Sequence, residues 1–211
     1  VTSDQTPALA VEDISDADFK IVPSVQVTAP NGNEIWRVGE SRSITWIING
    51  AITNVKIEYS TDGGSTWVIP AIVDSTSASL GSAVWTIPDA IGSNVKVRIS
   101  DVSTSSRFDL SDSPFIIKGK LTLNVPNGGE VFSVGSAQTI SWSKNGSIGN
   151  VELRYSTDGG ATFPAANTIA TNLTGTTYTW TPIPDVITTT VKVRVLMSRP
   201  VASSRVSPPI G

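Results

Sequence analysis

Carboxylates beside serine and threonine hydroxyls offer the most chemistry in this sequence. Two acidic clusters stand out: Asp13, Asp16 and Asp18, then Asp101, Asp109 and Asp112. Calcium takes about six to eight oxygens, which loop aspartates and backbone carbonyls can supply. Calcium is therefore the one cofactor these residues suggest, set against the plainer reading of solvated turns. Two more aspartates open the turns Asp62-Gly63-Gly64 and Asp158-Gly159-Gly160. There a carboxylate can bond the backbone two residues on, while glycine accepts positive φ. The expected role is a structural hairpin. Glu34 and Glu130 sit in Pro-Asn-Gly turns, and Asp89 and Asp185 follow prolines. Each pair recurs at one place in two halves of the chain, which favours structure over a shared active site.

Absences narrow the chemistry further. The chain has no Cys and no His. That removes disulfides, thiol nucleophiles, Cys-ligated zinc and the commonest general base. We expect no enzyme here. A net charge of -3 and the lack of a basic stripe with interleaved aromatics argue against nucleic acid. No apolar run reaches the roughly 18 residues of a membrane helix. No secretory leader opens the sequence, which reads as a mature or excised chain.

Six tryptophans raise carbohydrate stacking. Trp46, Trp142, Trp85 and Trp180 lie in alternating runs and read as core. Trp36 and Trp67 become Phe132 and Phe163 in the second half, a swap that suits packing better than a sugar platform. Asn145-Gly146-Ser147 and Asn172-Leu173-Thr174 are glycosylation sequons, which matter only where the source glycosylates its surface proteins.

The elements that must position these groups come from an internal repeat. Pro30-Asn31-Gly32-Asn33-Glu34 returns as Pro126-Asn127-Gly128-Gly129-Glu130, an offset of 126 - 30 = 96. Tyr59-Ser60-Thr61-Asp62 returns as Tyr155-Ser156-Thr157-Asp158, and Val95-Lys96-Val97-Arg98 as Val191-Lys192-Val193-Arg194. That period is too long for a solenoid repeat and fits one whole sandwich. Within each copy apolar residues alternate with polar ones, as in Val25, Val27 and Ala29 or Val95, Val97 and Ile99. Period 2 over short runs means half-buried antiparallel strands. The fold class expected is all-β: two tandem immunoglobulin-like sandwiches of about seven strands each, plus an extra strand in front. Short links at Val22-Pro23-Ser24 and Lys118-Gly119-Lys120 should restrict hinge motion and give a semi-rigid rod.

The run Pro-Asn-Gly-Gly-Glu, Ile-Ser/Thr-Trp and Ser-Thr-Asp-Gly-Gly resembles immunoglobulin- or fibronectin-like repeats of secreted bacterial and archaeal surface proteins. It is also similar to the N-terminal domain of a fungal Ser/Thr-rich cell-wall family. The resemblance covers nearly the whole chain, twice, and implies an extracellular or cell-surface setting. Such modules serve as stalks, spacers and adhesive arrays, so it does not choose a function. Ser60 to Trp67 also matches the Asp-box pattern of sialidases, which in those enzymes is a hairpin remote from the catalytic groups. A sialidase would further need an arginine cluster and a propeller, which the sequence does not support.

The front of the chain is out of phase. Ile14-Ser15-Asp16-Ala17-Asp18-Phe19-Lys20-Ile21 aligns at the same offset with Leu110-Ser111-Asp112-Ser113-Pro114-Phe115-Ile116-Ile117. Residues 1–22 thus hold a last strand with no domain before it, residues 23–119 make the first sandwich, and residues 120–211 make a second that lacks its last strand. Val206-Ser207 matches Leu110-Ser111, but Gly211 stands where Phe115 would be matched. A strand in excess and a strand in deficit suggest donation: Ile14, Phe19 and Ile21 of one copy filling the second sandwich of another. Head-to-tail contacts of this kind build open filaments or rings. Acid at the front and Lys192, Arg194, Arg199 and Arg205 at the back fit, with the three arginines as the acceptor rim. Ile14 is out of parity with Phe19 and Ile21, so a bulge or turn near Asp16 must intervene. The expected function is the structural subunit of a filament or pilus. The competing readings are a stalk or spacer cut from a longer tandem array and, behind that, a carbohydrate-binding module.

Overall fold

Alternating runs bury every second side chain, and each run needs a neighbour for its backbone. In the computed structural model, which describes residues 13–198, that pairing gives two β-sandwiches in series. The first contains β1 (Ser24–Ala29), β2 (Ile35–Arg37), β3 (Ser41–Asn49), β4 (Asn54–Ser60), β5 (Val73–Ser77), β6 (Ser82–Thr86), β7 (Gly92–Asp101), β8 (Phe108–Leu110) and β9 (Phe115–Lys118). One sheet runs β1-β3-β6. The other runs β2-β9-β7-β4-β5, with β8 also on β7. The second contains β10 (Lys120–Val125), β11 (Gln138–Asn145), β12 (Val151–Ser156), β13 (Thr168–Leu173), β14 (Thr177–Trp180) and β15 (Lys192–Met197). Its sheets run β10-β11-β14 and β13-β12-β15.

The strand count differs from the seven expected for each copy. The first sandwich has nine because two three-residue strands, too short to show alternation, join its larger sheet. The second has six among the described residues. Each sandwich has its own apolar core. Ile44, Trp46, Val95 and Phe115 belong to the first, and Ile140, Trp142, Val151 and Leu153 to the second. The only helical pieces among the described residues are 3-10 turns at Ala78–Leu80 and Ala165–Asn167.

One residue, Gly119, separates β9 from β10. A Cβ there would lie 2.5 Å from Ile148 Cγ1, so any side chain at this position would require Ile148 to move. The loop after β11 leans back on the first sandwich: Gly146 lies against Val38, Asp89 and Ile91, and the Ser147 hydroxyl donates to Asp89. That bond holds the Asp89 carboxyl below its usual range.

Residues 13–23 form neither helix nor strand, so the leading segment has no strand partner among the described residues. It bends at Asp16 and Ala17, and the matching residues Asp112 and Ser113 bend in the first sandwich.

Candidate functional site

The site is a groove, and the first sandwich shows how such a groove is filled. There β9 lies between two partners, antiparallel to β7 and parallel to β2. Phe115 enters the core and its ring sits 4.9 Å from that of Trp36, which reaches Trp85 at 6.0 Å. Just before β9, Ser111 is fully buried. Its hydroxyl donates to the Pro30 carbonyl at 2.7 Å and accepts from the Val97 N–H at 3.0 Å. Asp109 accepts the Val27 N–H at 2.8 Å. Asp112 and Asn31 exchange two bonds of 2.7 Å each, and Lys96 donates to the Asp112 carbonyl at 3.3 Å. Residues 109–117 are therefore locked by side chains as well as by the ladder.

In the second sandwich the same place is an open groove of about 790 Å³. Its walls include Leu123, Pro126, Asn127, Phe132, Lys192 and Val193. At the 96-residue offset these are the counterparts of Val27, Pro30, Asn31, Trp36, Lys96 and Val97, which hold residues 109–117 in the first sandwich. The core behind is uncovered to match. Val95 is fully buried, whereas Val191 is 41% exposed; Val38 is 9% exposed and Val134 52%. Residues 131–133, matching β2, form no strand, because β2 exists only by pairing with β9. The positions matching β8, 204–206, lie outside the described residues.

The three residues expected to donate are fully available. Ile14 is 80% exposed, Phe19 79% and Ile21 87%.

Other expected sites fare differently. The calcium clusters do not assemble: among the described residues no three acidic side chains converge. Asp101 pairs with Arg107 and accepts the Ser103 N–H, while Asp109 and Asp112 are spent on Val27 and Asn31. Those carboxylates answer separate donors, a guanidinium and an N–H for Asp101, a strand N–H for Asp109 and a side-chain amide for Asp112, so they share no oxygen cage. Asp13, Asp16 and Asp18 are exposed.

Arg194 is not on the groove rim. Its guanidinium stacks over Phe163 at 4.3 Å, repeating Arg98 over Trp67 at 4.3 Å. The other two rim residues, Arg199 and Arg205, lie outside the described residues. Lys192 is the cation that does line the groove. In the first copy Arg98 also reaches Glu58 at 2.6 Å, with Lys56 at 2.8 Å. Burial works to raise the Glu58 carboxyl, but these two donors outweigh it and hold it low. The Arg98 stack covers one face of Trp67, and the other five tryptophans are core residues.

The two Asp turns are built alike. Asp62 takes bonds from the Ser60 hydroxyl at 2.6 Å, the Thr66 hydroxyl at 2.6 Å and the Thr66 N–H at 2.9 Å. Ser60 in turn accepts from the Gly64 N–H at 2.8 Å, and Gly63 and Gly64 take φ of 77° and 100°. Ser156, Asp158 and Thr162 repeat the pattern, with Gly159 and Gly160 at 74° and 94°. Hydrogen bonds from serine and then threonine hold both carboxyls far below the usual range. Glu34 and Glu130 each take two backbone N–H groups of their own turn. Asn145 lies at the junction beside Gly39, and Asn172 is exposed at φ 59°.

Sequence reasoning gave Ser111 no role, named Lys192 among the basic residues at the back but left it off the rim, and took Phe132 as a packing swap. Ser15 matches Ser111 at the 96-residue offset, and that was the available signal.

No family model matches the chain, and no curated protein does. Among solved structures it is similar to fibronectin(III)-like modules of CbhA from Clostridium thermocellum. The identity is 17% over 75% of this chain and 79% of that one, with a TM-score of 0.29. It is also similar to a chain in the complex of Dpr2 Ig1-Ig2 with DIP-Theta Ig1-Ig3. There the identity is 12% over 82% of this chain and 65% of that one, with a TM-score of 0.28. These are fibronectin-like and immunoglobulin-like modules; at such scores the fold class rests on the strand order above. The chain is an all-β protein of two immunoglobulin-like sandwiches. No helix among the described residues is long and apolar enough to cross a membrane.

Proposed function

We propose that this chain is a non-enzymatic structural subunit that assembles head to tail outside the cell, each copy inserting residues 13–22 into the second sandwich of the next. In this reading residues 1–22 are the donor extension, 23–119 the self-completed sandwich and 120–211 the acceptor. One observation carries it: the groove of the second sandwich has the partner set that grips residues 109–117 in the first, and an exposed segment of matching sequence leads the chain.

The match assigns a partner to each donor residue. Phe19 stacks on Phe132 as Phe115 does on Trp36. Ser15 bridges the Pro126 carbonyl and the Val193 N–H as Ser111 bridges Pro30 and Val97. Asp13 takes the Leu123 N–H, and Asp16 pairs with Asn127. The acidic front thus acts as a register lock, with Lys192 adding charge complementarity. Burying Phe19 contributes about 1.5–3 kcal/mol, and strand addition adds backbone bonds on both sides.

Light scattering on three chains tests the reading. The intact chain should polymerise with rising concentration. Phe19→Asp should abolish assembly, because a lone charge cannot enter the core. The first sandwich should stay folded, since Phe19 is outside it. Moving residues 10–22 behind Gly211 through a flexible linker should fill the groove in cis and yield a monomer. Assembly of Phe19→Asp at the wild-type rate, or an intact chain that stays monomeric at high concentration, would overturn the proposal. The second outcome would leave the spacer of a longer tandem array.

A further inference from the structure

We infer that the junction between successive copies repeats the junction inside one chain: the loop Asn49-Gly50-Ala51-Ile52 of one copy docks on Val134, Asp185 and Ile187 of its neighbour. This deepens the donor-strand reading and rests on it.

The internal junction is small and well defined. On one side is the loop after β11, Asn145-Gly146-Ser147-Ile148. On the other is the end of the first sandwich, Val38, Gly39, Asp89 and Ile91. Asn145 meets Gly39, Gly146 packs on Val38, Asp89 and Ile91, and the Ser147 hydroxyl donates to Asp89. Both sides exist twice in the sequence. At the 96-residue offset the loop is Asn49-Gly50-Ala51-Ile52, and the receiving end is Val134, Gly135, Asp185 and Ile187. Every residue type is kept except Ser147, which becomes Ala51.

Among the described residues, the loop 49–52 and the end formed by Val134, Asp185 and Ile187 do not meet each other or a second copy of their counterpart. Gly50 is exposed where Gly146 is half-buried, and Val134 is 52% exposed where Val38 is 9%. Ile187 is 92% exposed, against 45% for Ile91. Two apolar side chains beside a carboxylate, at one end of a sandwich, make the same surface that the loop of residues 145–148 already covers at the other junction.

The link between donor and body supports the geometry. Val22-Pro23-Ser24 matches Lys118-Gly119-Lys120. Gly119 passes against Asn145 and Ile148, and Pro23 passes against Gly50: a Cβ on Gly50 would lie 3.1 Å from the Pro23 Cβ. The chain therefore leaves the donor segment beside the loop, as it leaves β9 beside residues 145–148. A strand seated in the groove with the β9 register brings the loop to the receiving end. Asp185 keeps the backbone N–H of residue 51 as a donor and loses only the serine hydroxyl, which makes this junction the weaker of the two.

The chain has no cysteine, so a disulfide can report the contact directly. Ala51→Cys and Asp185→Cys are introduced together, and separately into two chains mixed in equal amounts. The assembled protein is oxidised and run under denaturing, non-reducing conditions. Ser147→Cys with Asp89→Cys, which should close within one chain, is the positive control. Ala51→Cys with Thr171→Cys, on a strand at the other end of the second sandwich, is the background. We expect a head-to-tail ladder, and mixed dimers from the separated variants, at least tenfold above background; Phe19→Asp should remove both. Polymer that forms normally and crosslinks no better than background overturns this docking and leaves strand donation standing. If neither the variants nor the wild type polymerises, both readings fall together.

Discussion

In the first sandwich an aromatic row runs Phe115, Trp36, Trp85, Tyr59, each ring within 6.0 Å of the next. In the second, Phe132, Trp180 and Tyr155 line the groove with no fourth ring among the described residues, and Tyr155 and Trp180 still touch at 5.2 Å. The two halves share a turn chemistry, a strand order and a core pattern, yet among the described residues one is closed and one is open. The difference comes down to a single strand and the side chains that latch it. Sandwich architecture is thus set by strands that both halves keep, while closure is a separable property carried by β9.

Removing the latch from the closed half should sharpen that contrast most. Phe115→Ala should cost the first sandwich about 3–5 kcal/mol, the usual range for a buried Phe, and should uncover Trp36 towards the half-buried state of Phe132. Urea melts followed by tryptophan fluorescence check this. A loss under 1 kcal/mol would mean that closure does not depend on the residue that seals the first sandwich.

The turns should behave identically in both halves. Ser60→Ala or Ser156→Ala removes an acceptor shared by two backbone N–H groups, which costs about 1–3 kcal/mol. A large effect in one half alone would break the equivalence. The pH response has a definite sign. Folded Asp62 and Asp158 have depressed pKa values, so the stability they contribute is present above the unfolded value of about 4 and drains away as pH falls further. Asp158→Asn should therefore narrow the gap between the urea midpoints at pH 7 and pH 3.

The smallest effect distinguishes two core tryptophans. The Trp46 indole N–H donates to the Ala78 carbonyl at 2.8 Å, whereas that of Trp142 is buried without a partner among the described residues. Trp46→Phe should cost about 1 kcal/mol more than Trp142→Phe, the net worth of one hydrogen bond. Equal costs would erase this difference between the cores.

Much of this was legible beforehand. The offset of 96, the alternating runs and the Asp-Gly-Gly turns follow from side-chain period and local turn geometry, both local properties. The three-residue strands β2 and β8 were not, because they exist only through distant partners. The acidic clusters misled for the same reason: composition shows that Asp109 and Asp112 are close in sequence, but not that a strand N–H and an asparagine amide claim them. Arg194 was assigned to the acceptor rim although Arg98 with Trp67 and Arg194 with Phe163 recur at the common offset. The groove was legible only indirectly, since Val134 and Val191 are as apolar as Val38 and Val95. The signal for it was the match of residues 14–21 to residues 110–117, with Phe19 at the place of Phe115.

Gly119 carries a mechanical consequence. With one residue between β9 and β10, tension along the chain has no slack to take up and passes straight into β9. The bonds from β9 to β7 lie across the strand direction, so a pull from Ser24 to Lys120 loads them together, in shear, instead of peeling them one at a time. The strand that closes the sandwich is also the one that bears the load.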